Sequence, residues 1–252
     1  GFYGAIDNTE GGKTSRTNLN AQLVTIFKNG SYFKNQTYLT QYQFDLFSNF
    51  TFYLEDPVKG DQIRQREKNR SLIGYNGSYH KTGNWGNTQL THEMGLGVRH
   101  DYIKDLELSH TLNKTTVLNR LAFGNVNETD AYAYINETFK FSEKLSLNSG
   151  VRFDQFINQY QDHLLANELQ KANAAIVSPK ISLYYHPNKQ NQFYINLGKG
   201  FHSNDTRVCV IENGREVLPA AYSSDLGMVL KPSSKVLVHA AFWYLWLNQE
   251  FV

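Results

Sequence analysis

The chain has 252 residues, of which 40% are hydrophobic, 19% charged and 14% aromatic, with a formal net charge of +2. That balance leaves no basic footprint for nucleic acid, and one cysteine, Cys209, excludes an internal disulfide framework and a multi-cysteine metal cluster. The longest nearly apolar run, Val236 to Leu247 with His239 inside it, falls short of the ~18 residues of a membrane-spanning helix, whereas a mean hydropathy of −0.50 leaves a membrane barrel open, because a barrel hides its apolar residues at every second position.

In chain order the dominant period is two, the mark of strands with unlike faces. Leu19, Ala21, Leu23 and Phe27 alternate with Asn18, Asn20 and Gln22. Tyr38, Tyr42, Phe44 and Leu46 alternate with Gln41, Gln43 and Asp45. Leu90, Met94, Leu96 and Val98 alternate with Thr91, Glu93, Arg99 and Asp101. Leu145, Leu147, Val151 and Phe153 alternate with Asn148, Arg152 and Asp154, and Phe193, Ile195 and Leu197 with Asn196. Leu145, Leu147, Val151, Phe153, Leu90, Met94, Leu96, Val98, Phe193, Ile195 and Leu197 are expected to share a convex, outward face, and Asn148, Arg152, Asp154, Thr91, Glu93, Arg99 and Asn196 a concave one. No segment has a convincing amphipathic helix; 163–174 is weakly helical in composition and is expected to be loop.

Ten crossings follow, at about 16–27, 32–53, 70–81, 88–101, 129–141, 145–156, 176–186, 192–200, 219–230 and 236–250. They are long against an ordinary strand of about five or six residues, and a bilayer crossing takes about nine to eleven. Short turns at 28–31, 82–87, 142–144, 187–191 and 231–235 alternate with long connections at about 54–69, 102–128, 157–175 and 201–218. Short turns on one rim and long loops on the other are the pattern of outer-membrane barrels. Leu106, Leu108, His110 and Leu112 also alternate, but a full crossing there would put the turn 142–144 on the long-loop rim. One excursion over 102–128, with its own hairpin, keeps every parity.

Two echoed segments, Gly97-Val98-Arg99-His100-Asp101 and Gly150-Val151-Arg152-Phe153-Asp154, place Arg and Asp two apart on the polar face. Arg99, Asp101, Arg152 and Asp154 are expected to form a charge ladder on the inner wall, where half-buried charges sit paired. On the long-loop rim, His202, Asn204, Asp205 and Arg207 are the candidate ligand contacts, beside the plainer reading of a turn cap. Their spacing lacks the further ligands of a metal site, and no catalytic or phosphate-loop signature appears, so neither a metal nor another cofactor is expected. The eight Asn-x-Ser/Thr sequons follow from frequent Asn, Ser and Thr on polar faces. Aromatics near strand ends (Phe139, Phe141, Tyr184, Tyr185, Phe193, Tyr194) are expected to form an interfacial girdle.

The segment Ser178-Pro179-Lys180-Ile181-Ser182-Leu183, followed by Phe193-Tyr194-Ile195-Asn196-Leu197-Gly198-Lys199-Gly200-Phe201 through Asp205, resembles the barrel of TonB-dependent outer-membrane receptors. Leu218-Pro219-Ala220, Ser224-Asp225-Leu226-Gly227, the stretch from Ala240 to Val252 and the hairpin from Tyr134 to Asp154 are similar to the same family. Each motif is degenerate alone; their order over residues 40 to 252 is more specific. The resemblance implies an all-β fold, a transmembrane antiparallel barrel of about 22 strands filled by an N-terminal plug. It also implies outer-membrane lipid and the TonB complex as partners, and uptake of a scarce large nutrient such as a siderophore, haem, cobalamin or glycan. The nutrient itself is not readable, and no enzymatic activity is implied. Residues 1–252 are expected to be about ten of those strands, without plug or remaining wall, leaving open edges at 16–27 and 236–250. A passive porin and a soluble all-β binding module or adhesin are the alternatives.

Overall fold

The computed structural model describes residues 8–211 and 216–249. Ten strands pair strictly in sequence order, every pair antiparallel. They are β1 (Gly11–Ile26), β2 (Tyr32–Ser48), β3 (Ile63–Trp85), β4 (Thr88–Leu112), β5 (Thr116–Lys140), β6 (Leu145–Asp162), β7 (Glu168–Asn188), β8 (Asn191–Phe201), β9 (Ala220–Ser233) and β10 (Val236–Leu247). A four-residue helix, α1 (Thr206–Cys209), interrupts the β8–β9 connection. All ten expected crossings are present.

The connections are corrected in detail. The excursion 102–128 is the upper part of β4 and β5, which run together to a turn at 113–115. Its end is therefore opposite the turn 141–144, as parity requires. The segment 157–175 is also strand, closed by a turn at 163–167, so the helical composition of 163–174 did not decide its structure. Here cross-strand pairing overrides weak local propensity. The first long loop is 49–62, and residues 63–69 already belong to β3.

Register fixes the two faces, because directly opposed residues share a face. One row runs Leu90, Phe139, Leu147, Leu183, Ile195, Leu226, Phe242 across seven strands. Another runs Met94, Ile135, Val151, Pro179. Leu96, Phe153, Ile195 and Leu226 are 58%, 46%, 44% and 59% exposed. No core covers this apolar face, which is the situation of a wall packed against lipid. The opposite face carries Asn148, Ser182, Asn196 and Asp225 in one row.

β2 departs from the rule that apolar points outward. Leu39 pairs with Leu19 on the outer face, while Tyr38 opposes Gly74 and shares the inner face with Tyr42 and Phe44. Tyr184 and Tyr194 also face inward, directly opposed with ring centroids 6.3 Å apart. The outward girdle on this rim is therefore Phe139 and Phe141, stacked at 6.1 Å, with Tyr185 and Phe193.

The inner tyrosines rest on glycines of the next strand. Tyr134 opposes Gly95 and Tyr132 opposes Gly97. A Cβ on Gly95 would lie 2.6 Å from the Tyr134 ring, so only glycine lets the ring lie flat along the wall. Tyr134 then donates to Glu93 Oε1 at 2.8 Å.

The sheet does not close. β1 pairs only with β2 and β10 only with β9 among the described residues. Leu147 and Asn148 lie on opposite faces as expected, but Leu147 is three residues beyond the short turn, whereas Phe153 lies deeper in the band. In the full-length protein, Phe153→Arg should cost about 2–4 kcal/mol of folding stability in a bilayer and Leu147→Arg less. Asn148→Arg should be near neutral. Denaturant titration in vesicles reads all three.

Candidate functional site

The polar wall is organised by ion pairs that bridge neighbouring strands. Asp101 on β4 accepts a bidentate pair from Arg70 on β3, at 2.9 Å from Nε and 2.7 Å from Nη2, and a third bond from Arg99 Nη2 at 2.9 Å. Arg70 also donates to Glu67 Oε2 at 3.2 Å. On β6, Asp154 accepts from Arg152 Nη2 at 2.6 Å, and Asp130 on β5 lies 3.9 Å from the same nitrogen. The Arg152 guanidinium sits 3.7 Å from the Tyr132 ring centroid. The side chains of Asp101 and Asp154 are 2% and 0% exposed. Carboxylates so enclosed need partners, and the arginine side chains fill their lone pairs. Arg99 thus pairs with Asp101 and Arg152 with Asp154, and Arg70 joins the first pair from β3, which spacing within one strand could not reveal.

Higher on the wall, Glu107 lies between Arg66 at 3.6 Å and Arg120 at 3.7 Å and accepts from the Ser109 hydroxyl at 2.8 Å. These residues were invisible as a group because three strands contribute them.

A recess of about 720 Å³ on the inner wall is lined by Tyr38, Tyr42, Phe44, Arg16, Arg70 and Arg99. Aromatic faces and guanidinium groups together form a surface for a flat or anionic group. Alternation alone leaves the face of the β2 aromatics open, and their pairing partners turn them inward.

The rim residues are drawn inward. The connection after β8 folds over the inner face instead of standing above the rim. Cys209, Val217 and Leu218 pack with Ile176 and Phe156, and Val210 packs with Ile103, Val126 and Tyr160. The Thr206 hydroxyl donates to Glu128 Oε1. Asn204, 5% exposed, donates to Glu216 O at 2.7 Å and Gln249 Oε1 at 3.1 Å. Asp205 caps α1, accepting from Arg207 N at 2.8 Å and Arg207 Nη2 at 2.6 Å. Burial would raise the Asp205 pKa, but the Arg207 pair outweighs it and holds the carboxyl below its usual range. The backbone N–H of His202 donates to Pro219 O at 3.4 Å. The contacts of these four residues stay within the loop and with Gln249, and the hydrogen bond from the loop to the wall is that of Thr206 to Glu128. Among the described residues, no group of three His, Cys, Asp or Glu could hold a metal ion.

Two outcomes follow. Asp101→Ala leaves Arg70 without its main partner and should destabilise the full-length protein by about 3–5 kcal/mol in denaturant titration. Burial, with the charges of Asp205 and Glu128 nearby, pushes the Cys209 thiol up to about 11, so it stays protonated at pH 8. Iodoacetamide should label it slowly in the native protein, and Thr206→Val, which frees the loop from Glu128, should speed labelling.

A family model described as TonB dependent receptor-like, beta-barrel matches residues 1–215. Solved structures share the fold: the unliganded ferric citrate transporter FecA at 13% identity and TM-score 0.70, over 87% of this chain and 32% of that one. The ferric-catecholate import receptor Fiu from E. coli K12, closed form, matches at 14% identity and 0.71, over 94% and 41%. The siderophore receptor PiuA from Acinetobacter baumannii matches at 11% and 0.71, over 93% and 40%. A search of curated proteins gives no match. The chain thus spans about a third to two-fifths of these structures' length. Ten antiparallel strands, an apolar outer band, a charge-laddered inner wall and the family match over most of its length make this chain a member of the TonB-dependent receptor β-barrel family of Gram-negative outer membranes.

Proposed function

We propose that residues 1–252 form an arc of the barrel wall of a receptor that imports a scarce, large nutrient across the outer membrane. The observation that carries this reading is the pairing of an uncovered apolar face with a charge-laddered inner face on a sheet that does not close. Further strands complete the barrel, and a plug occupies the lumen until an inner-membrane TonB complex displaces it. The protein transports and does not catalyse. FecA, Fiu and PiuA are described as a ferric citrate transporter, a ferric-catecholate import receptor and a siderophore receptor, which favours a siderophore over haem, cobalamin or a glycan.

Ligand capture falls to the long-loop rim and the lumen. The recess around Tyr38, Tyr42 and Arg99 supplies stacking and positive charge, and His202 and Arg207 lie in the β8–β9 loop that folds onto the inner wall. The ladder of Arg99, Asp101, Arg152 and Asp154 lines the path and gives the plug a polar surface to slide on.

One observation favours a passive channel instead. The β8–β9 loop folds onto the inner wall, where a channel would use it to narrow the pore. Uptake by the full-length protein separates the two. In a Gram-negative host lacking its own receptors, labelled ferric siderophores, haem, cobalamin and oligosaccharides should enter by one class only, and entry should stop when TonB is deleted. Entry that persists without TonB identifies a passive channel. For a TonB-dependent ligand, Tyr38→Ala with Tyr42→Ala should weaken cell-surface binding about tenfold or more, two aromatic contacts of ~1 kcal/mol each.

A further inference from the structure

We propose that the short-turn rim is a docking surface for anionic phospholipid headgroups of the leaflet it faces. The inference rests on the wall spanning a bilayer and is independent of what the receptor imports.

Charge is sorted by rim. Lys28 sits in the β1–β2 turn, Lys144 in the β5–β6 turn, Lys189 in the β7–β8 turn, and Lys231 and Lys235 flank the β9–β10 turn; all are exposed. Glu143 is the one carboxylate in these turns, and none of them contains an arginine. It is bonded to Lys140 at 2.9 Å. That bond, with Lys189 nearby, holds its carboxyl below the usual range. Lys140, on the inner face opposite Ser146 and in the row of Tyr184, shares a recess of about 670 Å³ with Lys144, Lys189 and Glu143, so the charge that reaches the lipid side is that of the turn lysines. The opposite rim mixes signs, with Glu55, Asp56, Lys59, Asp61, Asp162 and Glu168 in or beside its connections.

Residue type sharpens the contrast. Arginines on the inner wall are spent on fixed pairs with Asp101 and Asp154. The turn lysines other than Lys140 make no ion pair among the described residues. Lysine is a flexible point charge that suits a mobile anion.

Depth identifies the anion. Phe27 precedes Lys28, Phe139 and Phe141 flank Lys140, and Tyr185 stands four residues before Lys189. Outward aromatics at strand ends mark the level of the headgroups. Lysines one to four residues beyond that level can extend to phosphates, well within a Debye length of about 8 Å. An acidic protein would meet the turn tips but has no reason to follow the aromatic level.

The test uses the full-length receptor in a neutral detergent, titrated calorimetrically with short-chain phosphatidylglycerol, short-chain phosphatidylcholine and inorganic phosphate. Each lysine beside an anionic surface contributes about fivefold. Phosphatidylglycerol should bind at least about tenfold more tightly than phosphatidylcholine at low salt. A protein carrying Lys144→Gln, Lys189→Gln, Lys231→Gln and Lys235→Gln should lose that preference, and arginine at the same four positions should keep it. Lys59→Gln with Lys171→Gln, on the other rim, should leave it unchanged. Equal binding of the two lipids by the unmodified receptor overturns the proposal. So does a preference that survives the four glutamines, or inorganic phosphate binding as tightly as phosphatidylglycerol.

Discussion

A bilayer offers no hydrogen-bond partner to a backbone N–H or C=O, and the rest of this structure follows from that constraint. Each crossing must be a strand whose groups are taken by its neighbours, so the strands are long and pair strictly in order. Among the described residues β1 and β10 each have one neighbour. An unsatisfied group in lipid costs several kcal/mol, and on the proposed reading further strands of the wall cover both edges.

The two faces solve different problems with the same alternation. Outside, Leu96, Phe153 and Ile195 need only be apolar and unhindered. Inside, the sheet must hold charge and bulk without a packed core. Arginine forks on Asp101 and Asp154 do the first. Tyrosine rings laid across Gly95 and Gly97 do the second, stiffening the wall while taking little of the lumen. The β8–β9 loop adds a third layer, seated by Thr206 on Glu128 and by Cys209 among Ile176 and Phe156.

Much of this was legible in the sequence for physical reasons. Period-two alternation is enforced wherever one face meets lipid and the other does not, so the crossings at 88–101 and 145–156 read cleanly. Parity alone placed 102–128 on the long-loop side, because a strand cannot change rim without another crossing. The echo around Arg99 and Arg152 put each arginine on the face of its aspartate, because two residues apart on a strand means the same face. What failed needed a partner strand to be known. Tyr38, Tyr42 and Phe44 are apolar enough to face lipid, and only their register against Gly74 and Arg16 turns them inward. Arg70 and Glu107 join their clusters through pairing across strands. The inward fold of the β8–β9 loop depends on contacts from β5 to β7, which no local pattern encodes.

The separation of the two open edges in the full-length receptor tests the central claim directly. With Cys209→Ser as background, spin labels at Ala21→Cys on β1 and Ala240→Cys on β10 report it by pulsed dipolar spectroscopy in vesicles. An arc of a wall of about 22 strands spaced about 4.8 Å, and tilted about 40°, places the two positions roughly 40 Å apart, across the lumen. A separation of about 5–10 Å would make β1 and β10 neighbours, close the ten strands on themselves and contradict the account.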